Sequence, residues 1–114
     1  MTDDTHPKPD FIPYDAAKAI ALVKAVFPRS TAELLQQSTG VPMRQVTRWL
    51  NGDSRIPPKL LGKLERQGDL RRQLTDEIRN LYEEMRVDGL TRQAARSAIL
   101  ELAASGEFDQ IDEI

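Results

Sequence analysis

The sequence has no cysteine and one histidine, His6, which stands beside Pro7 and Pro9 near the start. Without thiols, disulfide frameworks and thiolate metal sites are excluded, and a lone imidazole does not make a zinc centre. No metal and no cofactor is expected. No Gly-rich phosphate loop is present, and the carboxylates are scattered over solvent faces, so no set of side chains supplies nucleophile, base and stabiliser together. The chain reads as a non-enzyme. No run approaches the roughly 18 apolar residues of a membrane helix. The start, MTDDTHPKPDF, has neither the basic residues nor the apolar stretch of a secretory signal, which predicts a cytoplasmic protein without membrane contact. No segment alternates with period two, so no strands are expected. At 114 residues there is room for one compact domain, or for a small head with a helical extension.

What remains is ordinary globular material, 39% hydrophobic and 30% charged, sufficient for a core of limited size. The net charge of −2 hides a division along the chain. Residues 28–68 carry seven basic side chains (Arg29, Arg44, Arg48, Arg55, Lys59, Lys63, Arg66) against three acidic ones, a balance of +4. Residues 69–114 carry six against eleven, a balance of −5. A basic middle beside an acidic tail is the asymmetry of a chain in which one segment faces phosphate and another does not.

Helix signals dominate from residue 14 onwards, after a proline-rich leader over 1–13. Asp15 can cap a first helix whose Ala19, Ile20, Leu22, Val23 and Val26 share one face and which Pro28 ends. Ser30 with Glu33 forms the pattern of a capping box, opening a second helix over 31–38 that stops at Gly40. Pro42 suits the first turn of a third helix, ending near Leu50 before Asn51-Gly52. Pro57-Pro58 opens a fourth, through Leu60, Leu61 and Leu64 to Gly68. A fifth follows the stripe Leu74, Ile78, Leu81, Tyr82, Met85 to Asp88-Gly89, and Thr91 caps a sixth that ends near Ser105-Gly106. The expected fold is all-α with about six helices: a head over 14–68, a helical hairpin over 69–105 and an acidic tail over 106–114.

The informative stretch is TAELLQQSTGVPMRQVTRWLNG, residues 31–52. Two short helices flank Gly40, which can take the positive φ of a tight turn. Leu35, Val41, Val46 and Trp49 would lock the pair at a fixed angle. Trp49, three residues from Val46, reads as core rather than as a ligand platform. With that face buried, Met43, Arg44, Thr47, Arg48 and Asn51 project outwards, and Gln45 is a further polar candidate. Arg44 and Arg48, one turn apart, could each fork onto guanine, Asn51 could pair with adenine, and Met43 or Thr47 could meet a thymine methyl.

The string GVPMRQVTRWLNG followed by IPPKLLGKLE resembles the lambda-repressor/Cro superfamily of bacterial and phage regulators, over roughly residues 15–68. The resemblance implies a helix-turn-helix whose second helix enters the major groove of double-stranded DNA, with Met43, Arg44, Thr47, Arg48 and Asn51 in base or groove contact. It also implies Arg55 and Lys59 as backbone contacts; Lys63 is a further candidate for that role, and Lys59 and Lys63 could equally be plain surface charges. Three positions depart from the family pattern: Gln36 replaces a usual small alanine, Pro42 a capping hydroxyl, and Ala32 a phosphate-binding glutamine.

These features predict a transcriptional regulator, a repressor occupying a short inverted-repeat operator as a homodimer. Leu74, Ile78, Leu81, Tyr82, Met85, Ile99 and Leu102 are the candidate dimer interface; the same stripes could instead pack on each other and complete a monomer's core. The rival class is a protein-interaction module of antitoxin or antiactivator type, working through its C-terminal helices on a protein partner. The tail EFDQIDEI fits a docking motif, an acidic competitor for the basic head, or a frayed end, and fraying is the preferred reading.

Overall fold

The computed structural model describes residues 13–114. Of the leader expected over 1–13 only Pro13 falls among them, and His6 lies outside the described residues. The fold is all-α, with five α-helices and one short 3-10 turn among these residues.

Helix α1, Ala16–Val26, starts where the sequence places it: the Lys18 N–H donates to Asp15 Oδ1 at 3.1 Å, satisfying one of the free donors of the first turn. Ala19 and Val23, one turn apart, are fully buried, with Ile20, Leu22 and Val26 half-buried beside them. Helix α2, Thr31–Thr39, begins differently from expectation. Ser30 has a left-handed backbone, φ +52°, and its hydroxyl caps nothing, so the Ser30–Glu33 box does not form. The tight link after Pro28 turns Ser30 outwards; the Thr31 hydroxyl bridges the joint instead, donating to the Phe27 carbonyl at 2.5 Å.

Helix α3 covers Met43–Leu50, and the turn after it closes through Gly52, at φ +80°, with the Asp53 N–H donating to the Arg48 carbonyl at 2.9 Å. The next expectation fails. The two helices expected on either side of Gly68 are one helix, α4, running unbroken over Pro58–Val87. Gly68 carries no positive φ and is not followed by proline. A glycine inside a helix costs only about 1 kcal/mol relative to alanine, which the leucines, arginines and glutamates around it and the packing of α1 on α4 outweigh. At about 1.5 Å per residue, α4 is a rod about 45 Å long.

Asp88 and Gly89, the latter at φ +103°, turn the chain, and Thr91 caps α5, Arg92–Ala103, by accepting from the Ala94 N–H at 3.1 Å. A 3-10 turn over Gly106–Phe108 follows. The tail then comes back to the head: the Ile114 N–H donates to the Ser38 carbonyl at 3.0 Å, and Ile114 packs against the core. The preferred reading of a frayed end is therefore corrected, because an apolar terminal side chain finds a site between α2 and α4.

The core consists of Ala19, Val23, Leu35, Val46, Trp49, Ile56 and Leu64, all between α1 and the first two turns of α4. Past Leu64 no apolar side chain is fully buried, and none of residues 69–105 packs against the core cluster. The radius of gyration, 19.2 Å, is far above the ~13 Å of a compact chain near this length. A compact head carries a long arm, made of the second half of α4 and, after the turn at Gly89, of α5, which meets α4 only lightly.

Candidate nucleic-acid interface

The joint between α2 and α3 is built by short-range chemistry. Gly40 sits at φ +72°, where a side chain would be strained by about 1–2 kcal/mol, and its N–H donates to the Gln36 carbonyl at 2.8 Å. The Thr39 hydroxyl donates to the Leu35 carbonyl at 2.7 Å and accepts from the Val41 N–H at 3.2 Å. The Pro42 carbonyl receives the N–H groups of Gln45 and Val46 at 2.9 and 3.1 Å, opening α3 without a side-chain cap. Leu35, Val46 and Trp49 are buried at this corner and Val41 is half-buried against them, the arrangement expected of those four positions around Gly40. Gln36 and Ala32, two of the departures from the family pattern, are both half-buried.

Since each residue turns a helix by about 100°, burying Val46 and Trp49 sends Arg44, Arg48 and Asn51 to the far side. All three are exposed, as is Thr47 on the flank of that row; Met43, 40% exposed, lies nearer the buried face. Gln45 is different. It is half-buried, and its Nε2 donates to Ser54 Oγ at 2.9 Å, so its amide braces the loop after α3 rather than standing in the outward row.

The cations of the head are left available. Every ion pair among the described residues lies on α4 between Asp69 and Arg86, each joining an arginine to a carboxylate three residues earlier. Arg44, Arg48, Arg55, Lys59 and Arg66 have no carboxylate within salt-bridge reach among the described residues. Such solvated cations can neutralise an external phosphate at little cost in broken contacts.

Two supports lie beyond the reach of local sequence patterns. Tyr14 accepts the Ile56 N–H at its hydroxyl (3.2 Å) and holds the Arg55 guanidinium over its ring, 5.0 Å from the centroid, so it positions both the loop and one candidate backbone contact. Its partners are some 40 residues away in sequence, and no spacing rule links them. Ile114 is the second. It lines a shallow groove with Lys59, Gly62, Lys63 and Arg66, and its backbone oxygen accepts from Lys63 Nζ at 3.5 Å. Lys59 is exposed and free of this bond, whereas Lys63 reaches towards the returning tail.

On the arm, Leu74, Ile78, Leu81, Met85, Ile99 and Leu102 are exposed and Tyr82 is half-buried. Ile78 and Tyr82 of α4 share a shallow apolar groove with Ala95 and Ile99 of α5, which is where the two helices approach. No helix among the described residues is long and apolar enough to cross a membrane. Comparison with protein-family models, with curated proteins and with solved structures finds no match to this chain.

Proposed function

We propose that the protein is a sequence-specific double-stranded-DNA-binding regulator of transcription with a lambda-repressor/Cro-like helix-turn-helix, acting as a repressor by occupying a short operator. The helices α2 and α3 form the motif, and α3 lies in the major groove. The observation that carries this reading is the division of α3: Val46 and Trp49 fix it in the core, while the side chains of Arg44, Arg48 and Asn51 stand in one exposed row, the two arginines with no ion-pair partner among the described residues. Arginine forks onto guanine O6 and N7, asparagine pairs with adenine, and Arg55 and Lys59 beside the row supply phosphate contacts.

Selection of duplexes from a random DNA pool with the purified protein tests it. An enriched sequence is expected, with affinity that falls steeply as salt rises. Arg44→Ala/Arg48→Ala should weaken binding to that sequence roughly 30-fold to 10,000-fold, two bidentate contacts being worth about 1–3 kcal/mol each. Failure to enrich any sequence with folded protein defeats the reading. The rival, an interaction module acting through α4 and α5, draws on the bare apolar side of the arm, and the same double variant separates the two because it leaves the arm untouched.

A further inference from the structure

We propose that a second copy of this chain covers the apolar side of the arm, the two arms packing about a two-fold axis into a four-helix interface. The inference deepens the regulator reading and rests on it for its purpose, since two heads are what an inverted repeat requires.

The first argument is spacing. Leu74, Ile78, Leu81 and Met85 follow one another at intervals of four, three and four, the a/d repeat of helices that pack along a shared seam. They are 57%, 39%, 51% and 46% exposed, and Ile99 and Leu102 of α5 are about half exposed as well. Such a repeat serves a helix that has a partner; here α5 borders α4 along the groove lined by Ile78, Arg79 and Tyr82, and Leu74, Leu81 and Met85 stay exposed.

The second argument is area. The chain exposes 9094 Å² of surface, where the size scaling of folded proteins gives about 6,300 Å² for this mass. Removing the whole unfolded-chain surface of residues 1–12, and their share of the mass, still leaves an excess of roughly 1,300 Å². A standard protein interface removes about 800 Å² from each partner, so the surface this extended chain exposes beyond that of a compact monomer is enough for one such interface.

The third argument is charge. Residues 69–105 carry six arginines and seven carboxylates, interspersed, and three of the arginines are already paired on α4. A surface of mixed sign with a net charge of −1 offers no strong field to an oppositely charged partner, whereas it meets its own copy without repulsion.

The mass of the full chain in solution, by light scattering or sedimentation across a dilution series, decides the matter without DNA. The expected result is twice 12.9 kDa, falling to the monomer value in Leu74→Glu/Leu81→Glu with helical circular dichroism retained. Because the sequence lacks cysteine, Leu81→Cys provides a second readout: mild oxidation should give a covalent dimer, and Lys24→Cys on the head should not. A monomer at every concentration overturns the proposal, as does a dimer that survives the double glutamate variant without crosslinking through position 81. A dimer that enriches no DNA sequence leaves this interface standing and removes the regulator reading; a monomer that selects an operator does the reverse.

Discussion

Replacing Gly68 by alanine distinguishes one long helix from two. In the continuous α4, alanine at this interior position is worth about 1 kcal/mol over glycine. The new methyl would also stand 3.7 Å from Leu22 Cδ1 and 3.8 Å from Val26 Cγ2, ordinary contact distances that fill space between α1 and α4 without a clash. A buried methyl-sized group adds up to about 0.8 kcal/mol, and part of that is available at a half-buried site. The expected gain is therefore about 1–1.5 kcal/mol, or a rise in melting temperature of about 4–8 °C per kcal/mol for a domain near this size. Gly62→Ala is the reference, because open space surrounds that position and helix propensity alone acts there. Its gain should stop at about 1 kcal/mol. Gly89→Ala should go the other way by about 1–2 kcal/mol, since Gly89 holds φ +103°. Unfolding of the three variants by heat and urea, followed by circular dichroism at one fixed protein concentration, gives the comparison; association would otherwise shift the midpoints. A Gly68→Ala protein less stable than its parent would refute the continuous helix, because only a chain that turns at Gly68 would lose from the added side chain.

Other outcomes follow from single contacts. Thr91→Ala should cost about 1 kcal/mol by removing the cap of α5, whereas Ser30→Ala should change stability by less than about 0.5 kcal/mol, its hydroxyl capping nothing; paired urea titrations check both. Tyr14→Phe leaves the Ile56 N–H without its partner and should cost about 1–2 kcal/mol in the same assay, with the ring under Arg55 preserved. Under the regulator reading, Lys59→Ala should weaken binding about equally on all duplexes and reduce the slope of log affinity against log salt by about 1, read from titrations at several salt concentrations.

Helix boundaries with a local chemical cause were legible in the sequence. Asp15, Gly40, Asn51-Gly52, Pro58, Asp88-Gly89 and Thr91 each mark a terminus within a residue or two of where it lies, because capping and positive φ depend on neighbours only. The buried set of the α2–α3 corner was legible for the same reason: Val46 and Trp49 declare a face by spacing. Signals of identical local form misled where packing opposed them. Gly68 looks like a stop, but α1 lies against it and the helix continues; Ser30 and Glu33 spell a capping box, but the turn from Pro28 gives Ser30 a backbone that cannot present its hydroxyl. Among the candidate site residues, Arg44, Arg48, Thr47 and Asn51 stand exposed as helix geometry requires, while Gln45 is claimed by Ser54, nine residues on in an irregular loop. The roles of Tyr14 and Ile114 arise from contacts across more than 40 residues, which no periodicity encodes.

The single rod of α4 also governs how the molecule can change by insertion and deletion. A flexible joint near residue 68 would absorb added or lost residues freely, as surface linkers do. A helix that starts in the head and ends in the arm converts each inserted residue into a rotation of about 100° and a shift of about 1.5 Å between the two. One extra residue would swing the exposed row of α3 to another side of the molecule, while seven, close to two full turns, would restore its direction and only lengthen the reach. The joint therefore behaves as a phase-locked shaft, in which length can vary in steps of whole turns and substitutions are far cheaper than single-residue gaps.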